Sequence, residues 1–281
     1  MTILITGATG TVSSAVLQSL PSTADVRLLV RDRAKAPTGY EVSVGDLDDP
    51  ATLGQAFAGV DTLWLLTAMG PQAPHASMNA VWAARKAGVR HVVRMSAIGA
   101  SHDAPTRNGR LHALSDAELQ ASGLDWTIIR PAFFMQNLFG SVTGTTLYGS
   151  TGDGKMGLID VRDIGEFAAG VLTDPAPHKG KIYTLSGPAS ISLREAAAEA
   201  SDVYGEPIAY QPVTPQDAYQ AMLAAGLPEW NAAVNVEYGI AYSGGWGDFT
   251  TGDFAQVTGH DARSFKEFPK DHAAQLRPTG N

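Results

Sequence analysis

The sequence contains no cysteine. Without thiols the protein can form no disulfide framework, no thiolate nucleophile and no metal site with cysteine ligands. Serine nucleophiles have no support either, because the Gly-x-Ser-x-Gly pattern of acyl-transfer enzymes is absent. No histidine or carboxylate group has the spacing of a metal site, so we predict no bound metal.

Positive charge is also scarce. The chain has 20 Lys and Arg against 28 Asp and Glu, which gives a net charge of −8 at pH 7. Nucleic-acid binding needs clustered cations, so we exclude nucleic acid as a partner and expect a small-molecule substrate. No sustained heptad pattern is present, which leaves a monomer and a homodimer equally open.

Long apolar runs are missing. No stretch approaches the length of about 20 apolar residues that a membrane-spanning helix needs, so we predict no membrane partner. The first residues already have the pattern of a strand, which leaves no room for a signal peptide. We therefore expect a cytoplasmic protein, and a hydrophobic content of 44% predicts a folded globular chain.

The most informative feature that is present is a strand, a glycine turn and a helix at the start of the chain. Residues 2–6 are an apolar strand, and apolar residues at helical spacing follow the turn. Glycine lets the backbone approach a pyrophosphate, which the N–H groups of the next helix can bind. We predict a dinucleotide site formed by Gly7, Thr9, Gly10, Thr11 and Val12.

Strand and helix patterns then alternate as far as Pro131. Predicted strands cover residues 26–30, 41–44, 61–66, 91–95 and 126–129, and predicted helices cover 51–58, 76–87 and 111–122. Nearly all-apolar strands that alternate with helices indicate a parallel sheet covered on both faces. We therefore predict an α/β protein with a Rossmann-type, doubly wound parallel sheet.

The pattern changes after Pro131. A helix is predicted over 160–172, a strand over 180–185, and further helices start at the capping box Ser192–Glu195 and at Thr214. We predict a dinucleotide-binding domain over 1–174, with the loop 132–157 contributing to the substrate side. A smaller α+β cap is predicted over 175–281.

The residues after the second strand bear on the choice of cofactor. A carboxylate at this position binds a ribose 2′-OH, whereas an arginine accommodates a 2′-phosphate. Here Arg31 comes first, and Arg33 and Lys35 add positive charge nearby. We therefore predict NADP(H) as the favoured cofactor, while Asp32 keeps NAD(H) possible.

Several stretches along almost the whole chain match one known family. They are residues 6–10, 30–32, 45–47, 79–89, 96–97, 122–131 with Phe134 and Asn137, 159–164 and 185–188. On these stretches the sequence resembles the NmrA-like family of atypical short-chain dehydrogenase/reductases, which has quinone reductase and azoreductase members. The resemblance implies that Asp46 and Leu47 lie along the adenine, Thr67 and Ala68 along the middle of the cofactor, and Pro131 to Phe134, with Phe133, beside the nicotinamide.

The sequence departs from the family pattern at the third glycine of the turn, which is Ser13 here. That glycine allows close packing of helix and strand. Serine is small, and its hydroxyl can bond to the backbone or to a phosphate. We expect the turn to survive with weaker cofactor affinity.

The catalytic Tyr and Lys of ordinary short-chain dehydrogenases are absent. No tyrosine lies between Tyr40 and Tyr148, and no lysine lies between Lys86 and Lys155. Reduction of a simple ketone needs a positioned acid, which contributes about 10²–10⁴-fold in rate. Quinones, enones, imines and cationic dyes spread or neutralise the incoming charge, so positioning and desolvation can suffice.

His112 and Ser96 are the remaining candidate catalytic residues. Histidine ordinarily titrates near neutral pH, so His112 is the best candidate acid, although a surface or capping role is as well supported. Ser96 follows the strand 91–95, at the sheet edge where ligands bind. It is a candidate to hydrogen-bond the substrate or the nicotinamide amide, or else to satisfy a strand end.

Aromatic residues supply candidates for the substrate pocket, although aromatics at such spacings also form cores. The candidates are Phe133, Phe134, Phe139 and Trp230. Together these features predict an NADPH-dependent, flavin-free reductase of an apolar conjugated or aromatic electrophile. Two alternatives stay open, a non-catalytic dinucleotide sensor that binds a protein partner and a biosynthetic cyclase or isomerase.

Overall fold

The computed structural model describes residues 1–276, and the last five residues of the predicted 175–281 region lie outside this range. The chain divides into two units. The first consists of Met1–Ala104, Asn108–Arg130 and Ile164–Tyr183, and the second of Pro105–Arg107, Pro131–Asp163 and the chain from Thr184 onward. The second unit thus takes in the whole 131–163 segment, whereas the sequence places the boundary at residue 174.

Strands and helices are distributed over both units. The described residues form the strands β1 (Thr2–Ile5), β2 (Asp25–Val30), β3 (Glu41–Val44), β4 (Thr62–Leu65), β5 (His91–Met95), β6 (Asp125–Pro131), β7 (Val142–Thr143), β8 (Thr146–Gly149), β9 (Lys155–Met156), β10 (Lys181–Leu185), β11 (Ile191–Ser192) and β12 (Ala209–Pro212). They also form the helices α1 (Thr11–Ser19), α2 (Leu53–Phe57), α3 (Ala73–Ala87), α4 (Arg107–Ala121), α5 (Val161–Thr173), α6 (Leu193–Tyr204), α7 (Pro215–Ala224), α8 (Glu229–Ser243), α9 (Asp253–Thr258), α10 (Phe268–Asp271) and α11 (Ala273–Leu276).

A seven-stranded sheet organises the first unit. Its strand order is β10-β6-β5-β4-β1-β2-β3. The pairings that link β3 to β6 through this order are all parallel. The order 3-2-1-4-5-6 is that of dinucleotide-binding folds, in which ligands bind at the carboxyl ends of the strands. The predicted Rossmann-type fold is confirmed.

Close packing and helix caps explain the boundaries of several elements. A Cβ at Gly165 of α5 would lie 2.5 Å from the backbone of Ala15 in α1, so glycine is required where these helices touch. Gly88 ends α3 with a φ of +77°. The predicted capping box of Ser192 and Glu195 at the start of α6 is confirmed.

The second unit has small sheets and its own core. β7, β8 and β12 form a three-stranded sheet, and β9 pairs with β11. Its buried apolar cluster includes Met135, Leu193, Tyr242 and Phe268. This mixture of short strands and helices is the predicted α+β architecture.

A buried polar chain links β5 to β6 in the first unit. Thr127 donates its hydroxyl proton to the carbonyl of His178 at 2.8 Å, so its oxygen accepts from Nε2 of His91 at 2.9 Å. Burial, more than the nearby charges of His178 and Lys179, lowers the pKa of His91 to about 4. Between pH 6.5 and about 4, His91 is therefore neutral in the native protein, whereas a histidine in the unfolded chain is protonated.

This difference in pKa predicts that stability falls with acidification. The contribution of His91 is fully present above pH 6.5 and is lost as the pH falls toward 4, since the unfolded chain binds the extra proton in that range. A shift from 6.5 to about 4 corresponds to about 3 kcal/mol. His91→Gln keeps a donor for Thr127, so its free energy of unfolding should depend less on pH than that of the wild type.

Urea unfolding at pH 7.5 and pH 4.5 measures this effect. The stability advantage of the wild type over His91→Gln should shrink by about 2–3 kcal/mol at the lower pH. His102→Gln is the matched control because His102 is exposed. An advantage that does not change with pH would show that His91 is not held neutral.

Candidate dinucleotide-binding and active site

The turn between β1 and α1 has the geometry that an anionic group requires. Gly7 adopts a φ of +62°, and a Cβ there would lie 2.8 Å from Leu66 Cδ2. Gly10 is the N-cap of α1, and no side chain caps the first N–H groups of this helix. Such N–H groups at the positive end of a helix dipole attract phosphate. We call residues 6–13 the phosphate turn.

A cavity of about 550 Å³ lies beside the phosphate turn. Its walls come from the segments that follow β1, β2, β3 and β4, at the sheet edge where this fold binds ligands. The structure brings together in this cavity the predicted residues Gly7, Thr9, Gly10, Arg31, Asp46, Leu47, Thr67 and Ala68. The other predicted cofactor residues are not among its lining residues in the described chain: Thr11, Val12, Ser96, Pro131 and Phe133.

Sequence reasoning missed one wall of the cavity. Residues 69–73 and Ala76 also line it, and they form the connection from β4 into α3. Helix α3 begins at Ala73, three residues before the predicted start. The signal that could have found this wall is its position directly after a parallel strand, where ligand loops lie.

Two cations line the end of the cavity that follows β2. Arg31 and Lys35 are both exposed there. Arg33 instead donates from Nη2 to the carbonyl of Val42 at 2.8 Å. Asp32, which keeps NAD(H) possible, accepts from the amide of Ala34 at 3.0 Å and caps a short 3-10 turn. This bond uses one carboxylate oxygen of Asp32, which is exposed and also lines the cavity.

Ser13 occupies the position of the third family glycine and is fully buried. Its hydroxyl donates to the carbonyl of Thr6 at 2.9 Å and accepts from Nε1 of Trp64 at 2.9 Å. The sequence predicts that this hydroxyl bonds either to the backbone or to a phosphate, and the structure shows the bond to the backbone. Ser13 thereby ties α1 to β1 and β4 beneath the phosphate turn.

The segment after β3 is held by its own hydrogen bonds. The amide of Asp46 donates to Thr52 Oγ1 at 2.9 Å, and its carboxylate accepts from the amide of Asp48 at 3.0 Å. Asn79 of α3 donates to the carbonyl of Leu47 at 2.8 Å. These bonds fix the cavity wall that Asp46 and Leu47 form.

Ser96 follows β5 and lies in a buried, charged cluster. Its hydroxyl donates to Asp116 Oδ2 at 2.8 Å. The same carboxylate accepts from Arg94 Nε at 2.9 Å and from Arg130 Nη2 at 2.9 Å. The side chains of Arg94 and Asp116 are 1% and 3% exposed, so the pair is shielded from water. Sequence reasoning missed both residues, although an arginine within an apolar strand always needs a buried partner.

His112 precedes Asp116 by one helical turn on α4 and is half-buried. Its Nδ1 lies 3.2 Å from Arg94 Nη2. Burial lowers the pKa of His112 to about 3, and the positive charges of Arg94 and Arg130 act in the same direction. His112 is therefore neutral at pH 7, which restricts the predicted proton donor to a neutral N–H group.

The predicted pocket aromatics all belong to the second unit. Phe133 makes an edge contact with Tyr242 at 5.7 Å between ring centroids, and Phe139 stacks on Phe268 at 5.5 Å. Phe134 precedes a short 3-10 turn, and Trp230 lines a groove of about 690 Å³ next to Arg107. Phe133 and Phe139 thus both pack against the core of their unit.

No group of three or more His, Asp or Glu side chains within 1–276 is arranged to hold a metal ion. Over the same range, no helix has the length and apolar character needed to cross a membrane.

Comparisons with known proteins agree with this geometry. The family model described as NAD(P)H-binding matches residues 7–175. The NAD(P)H azoreductase of Xenophilus azovorans is 38% identical over 285 residues, which cover 97% of this chain and 98% of the relative.

Two solved structures are similar over both units. The NADPH-dependent quinone oxidoreductase of Escherichia coli, solved with NADPH, has a TM-score of 0.87 at 28% identity and covers 96% of this chain and 99% of its own. The triphenylmethane reductase of Citrobacter sp., solved with NADP(H), has a TM-score of 0.86 at 26% identity with the same coverage.

Proposed function

Because the chain belongs to the NAD(P)H-binding family and is NmrA-like within it, we propose that it is an NADPH-dependent, flavin-free reductase. Its substrate class is an apolar conjugated or aromatic electrophile, such as a quinone, enone, imine or dye. The observation that carries the proposal is the cavity that joins the phosphate turn to Arg31 and Lys35.

The residues of this cavity fit a dinucleotide with a 2′-phosphate. The uncapped start of α1 and the turn at Gly7 suit the pyrophosphate, and Arg31 with Lys35 suits the additional phosphate. Asp46 and Leu47 provide the wall for the adenine. Bound NADPH supplies a hydride from C4 of its dihydronicotinamide ring.

The proposed substrate class follows from the absence of a strong proton donor among the candidate catalytic residues. Helix α4 contains neither tyrosine nor lysine, and His112 is neutral at pH 7. An electrophile that delocalises the incoming electron pair does not need an acid during hydride transfer, and water can protonate the product afterward. The relatives named azoreductase, quinone oxidoreductase and triphenylmethane reductase support this class.

The aromatic residues of the second unit stay a prediction as substrate-pocket residues. All four candidates, Phe133, Phe134, Phe139 and Trp230, are partly buried, so each retains surface that a ligand could contact. Phe139 is the weakest member of the set because its ring is stacked on Phe268.

Turnover of NADPH with a panel of acceptors tests the function. We expect loss of nicotinamide absorbance that requires both the protein and a quinone, azo dye or triarylmethane dye, without added flavin. An isolated ketone is the matched control substrate, and it should react at least about 100-fold more slowly because a neutral histidine is too weak an acid to protonate its alkoxide. Tight NADPH binding without turnover on any acceptor would contradict the proposal and favour the sensor.

A further inference from the structure

The buried cluster around Asp116 fixes which groups near the end of β5 can donate and which can accept hydrogen bonds. We propose that Asp116 and Arg94 are positioning residues that hold Ser96 as a hydrogen-bond acceptor for the nicotinamide amide and His112 as a donor to the electrophile. The inference rests on the proposed function, since it takes Ser96 and His112 to face the reacting molecules.

The acceptor role of Ser96 follows from its single hydroxyl proton. That proton is donated to Asp116 Oδ2 at 2.8 Å. The carboxylate is locked in this role because it also receives hydrogen bonds from Arg94 and Arg130. A serine whose proton is used in this way has only lone pairs left for a ligand.

The donor role of His112 follows from the chemistry of arginine. Arg94 Nη2 faces His112 Nδ1 at 3.2 Å, and a guanidinium has no acceptor. Nδ1 must therefore be the unprotonated nitrogen, and the remaining proton of the neutral ring lies on Nε2. Arg94 is itself held by Asp116 Oδ1 and by Ser77 Oγ, at 2.9 and 3.1 Å.

The charged groups around His112 keep this arrangement over the neutral pH range. Arg94 on β5 and Arg130 on β6 both repel a second proton on the ring, and Asp116 on α4 opposes them. Glu118 on α4 lies close enough to Arg94 and to Arg85 on α3 to interact with both. Burial and the two arginines outweigh Asp116, so the pKa of His112 lies far below neutral.

The acceptor role of Ser96 distinguishes between the two ligands predicted for it, the substrate and the nicotinamide amide. The carbonyl groups of a quinone and the N=N group of an azo dye offer lone pairs but no N–H or O–H, so these reacting groups cannot bond to an oxygen that only accepts. The amide of the nicotinamide ring does offer N–H groups. Conversely, a neutral N–H of histidine can stabilise negative charge on an oxygen or nitrogen of the electrophile, as neutral histidines do in other active sites.

The first experiment tests the donor. Nitrogen NMR of the histidine rings should show His112 as the neutral Nε2–H tautomer from pH 5 to 8. Histidine 112 is then replaced by glutamine, which can accept from Arg94 and still donate, and by glutamate, which can only accept. We expect kcat to stay within about 5-fold for His112→Gln and to fall about 100-fold for His112→Glu, with the KM for NADPH unchanged.

The second experiment tests the acceptor through binding alone. The 3-acetylpyridine analogue of NADPH replaces the amide N–H₂ by a methyl group. Ser96→Ala should weaken NADPH binding about 3- to 10-fold while leaving the affinity for the analogue unchanged. Asp116→Asn should reduce the preference for NADPH similarly, and Asp125→Asn is the matched control because Asp125 forms an exposed ion pair with Lys179.

Several outcomes would overturn the inference. They are an Nδ1–H tautomer, an imidazolium that titrates near pH 6.5, a glutamate variant as active as the glutamine variant, or equal losses of both nucleotides in Ser96→Ala. If Asp116→Asn does not fold, the variants of Ser96 and His112 still decide. Absence of turnover in the wild type would refute the proposed function, whereas the NMR and binding measurements would still test the donor and acceptor roles.

Discussion

Replacement of Gly10 by valine is expected to raise the dissociation constant for NADPH at least about 100-fold. The backbone φ of Gly10 is −90°, which valine adopts readily, and its added Cβ would come near the carbonyl of Gly7 alone, at 3.2 Å. The Gly7 carbonyl must move by a few tenths of an ångström, so we expect the fold to survive while a branched side chain enters the cavity that Gly10 lines. Loss of two hydrogen bonds to a charged phosphate is sufficient for this effect.

The matched control is the same substitution at Gly54. Gly54 lies in α2 with open space around its Cα, and it does not line the cavity in the described chain. Calorimetric titration should give wild-type NADPH affinity for Gly54→Val, and thermal unfolding should show that both variants are folded. Unchanged affinity in a folded Gly10→Val protein would remove the phosphate turn from the binding site.

The six parallel strands β1 to β6 were predictable because their signals are local. Most of them are short, largely apolar segments, and β1, β3, β4 and β5 are each followed by a turn and a helix pattern. The strand 41–44 and the strand 91–95 agree with the structure to the residue. Buried parallel strands need apolar residues on both faces, so the pattern in the sequence reports the environment directly. The doubly wound order then follows from the right-handed crossovers of such units.

The second unit was much less predictable. β7 and β9 have two residues each, and they exist because they pair with β8 and β11 rather than because of their own composition. Helix α8 was also missed, although its 15 residues make it as long as α3. Its pattern is interrupted by glycine and polar residues that only tertiary packing explains.

The parts of the site formed by residues directly after a strand were predictable, whereas contacts between residues far apart in the sequence were not. The residues after β1, β2 and β3 form the cavity wall in the order that the sequence suggests. The low pKa of His112 depends first on its burial and then on the charge of Arg94, which lies 18 residues away on another element. Nothing in the sequence indicates that Arg94 on β5 would lower the pKa of a histidine on α4.

Removal of Arg31 and Lys35 together is expected to convert a preference for NADPH into near equality with NADH. Both side chains line the end of the cavity that follows β2, and both are exposed. Charge-assisted contacts to a 2′-phosphate disappear in Arg31→Ala/Lys35→Ala, so the dissociation constant for NADPH should rise about 10- to 100-fold. The affinity for NADH should stay the same because NADH lacks that phosphate.

Arg33→Ala is the control that separates a specific contact from general positive charge. Arg33 is equally exposed and lies between the other two, but its guanidinium bonds to the carbonyl of Val42 and it does not line the cavity in the described chain. We expect a change of less than about 2-fold in NADPH affinity, and a salt dependence like that of the wild type, whereas the double variant should lose most of its salt dependence. Equal effects of both changes would mean that a diffuse field, rather than two placed cations, selects the phosphorylated cofactor.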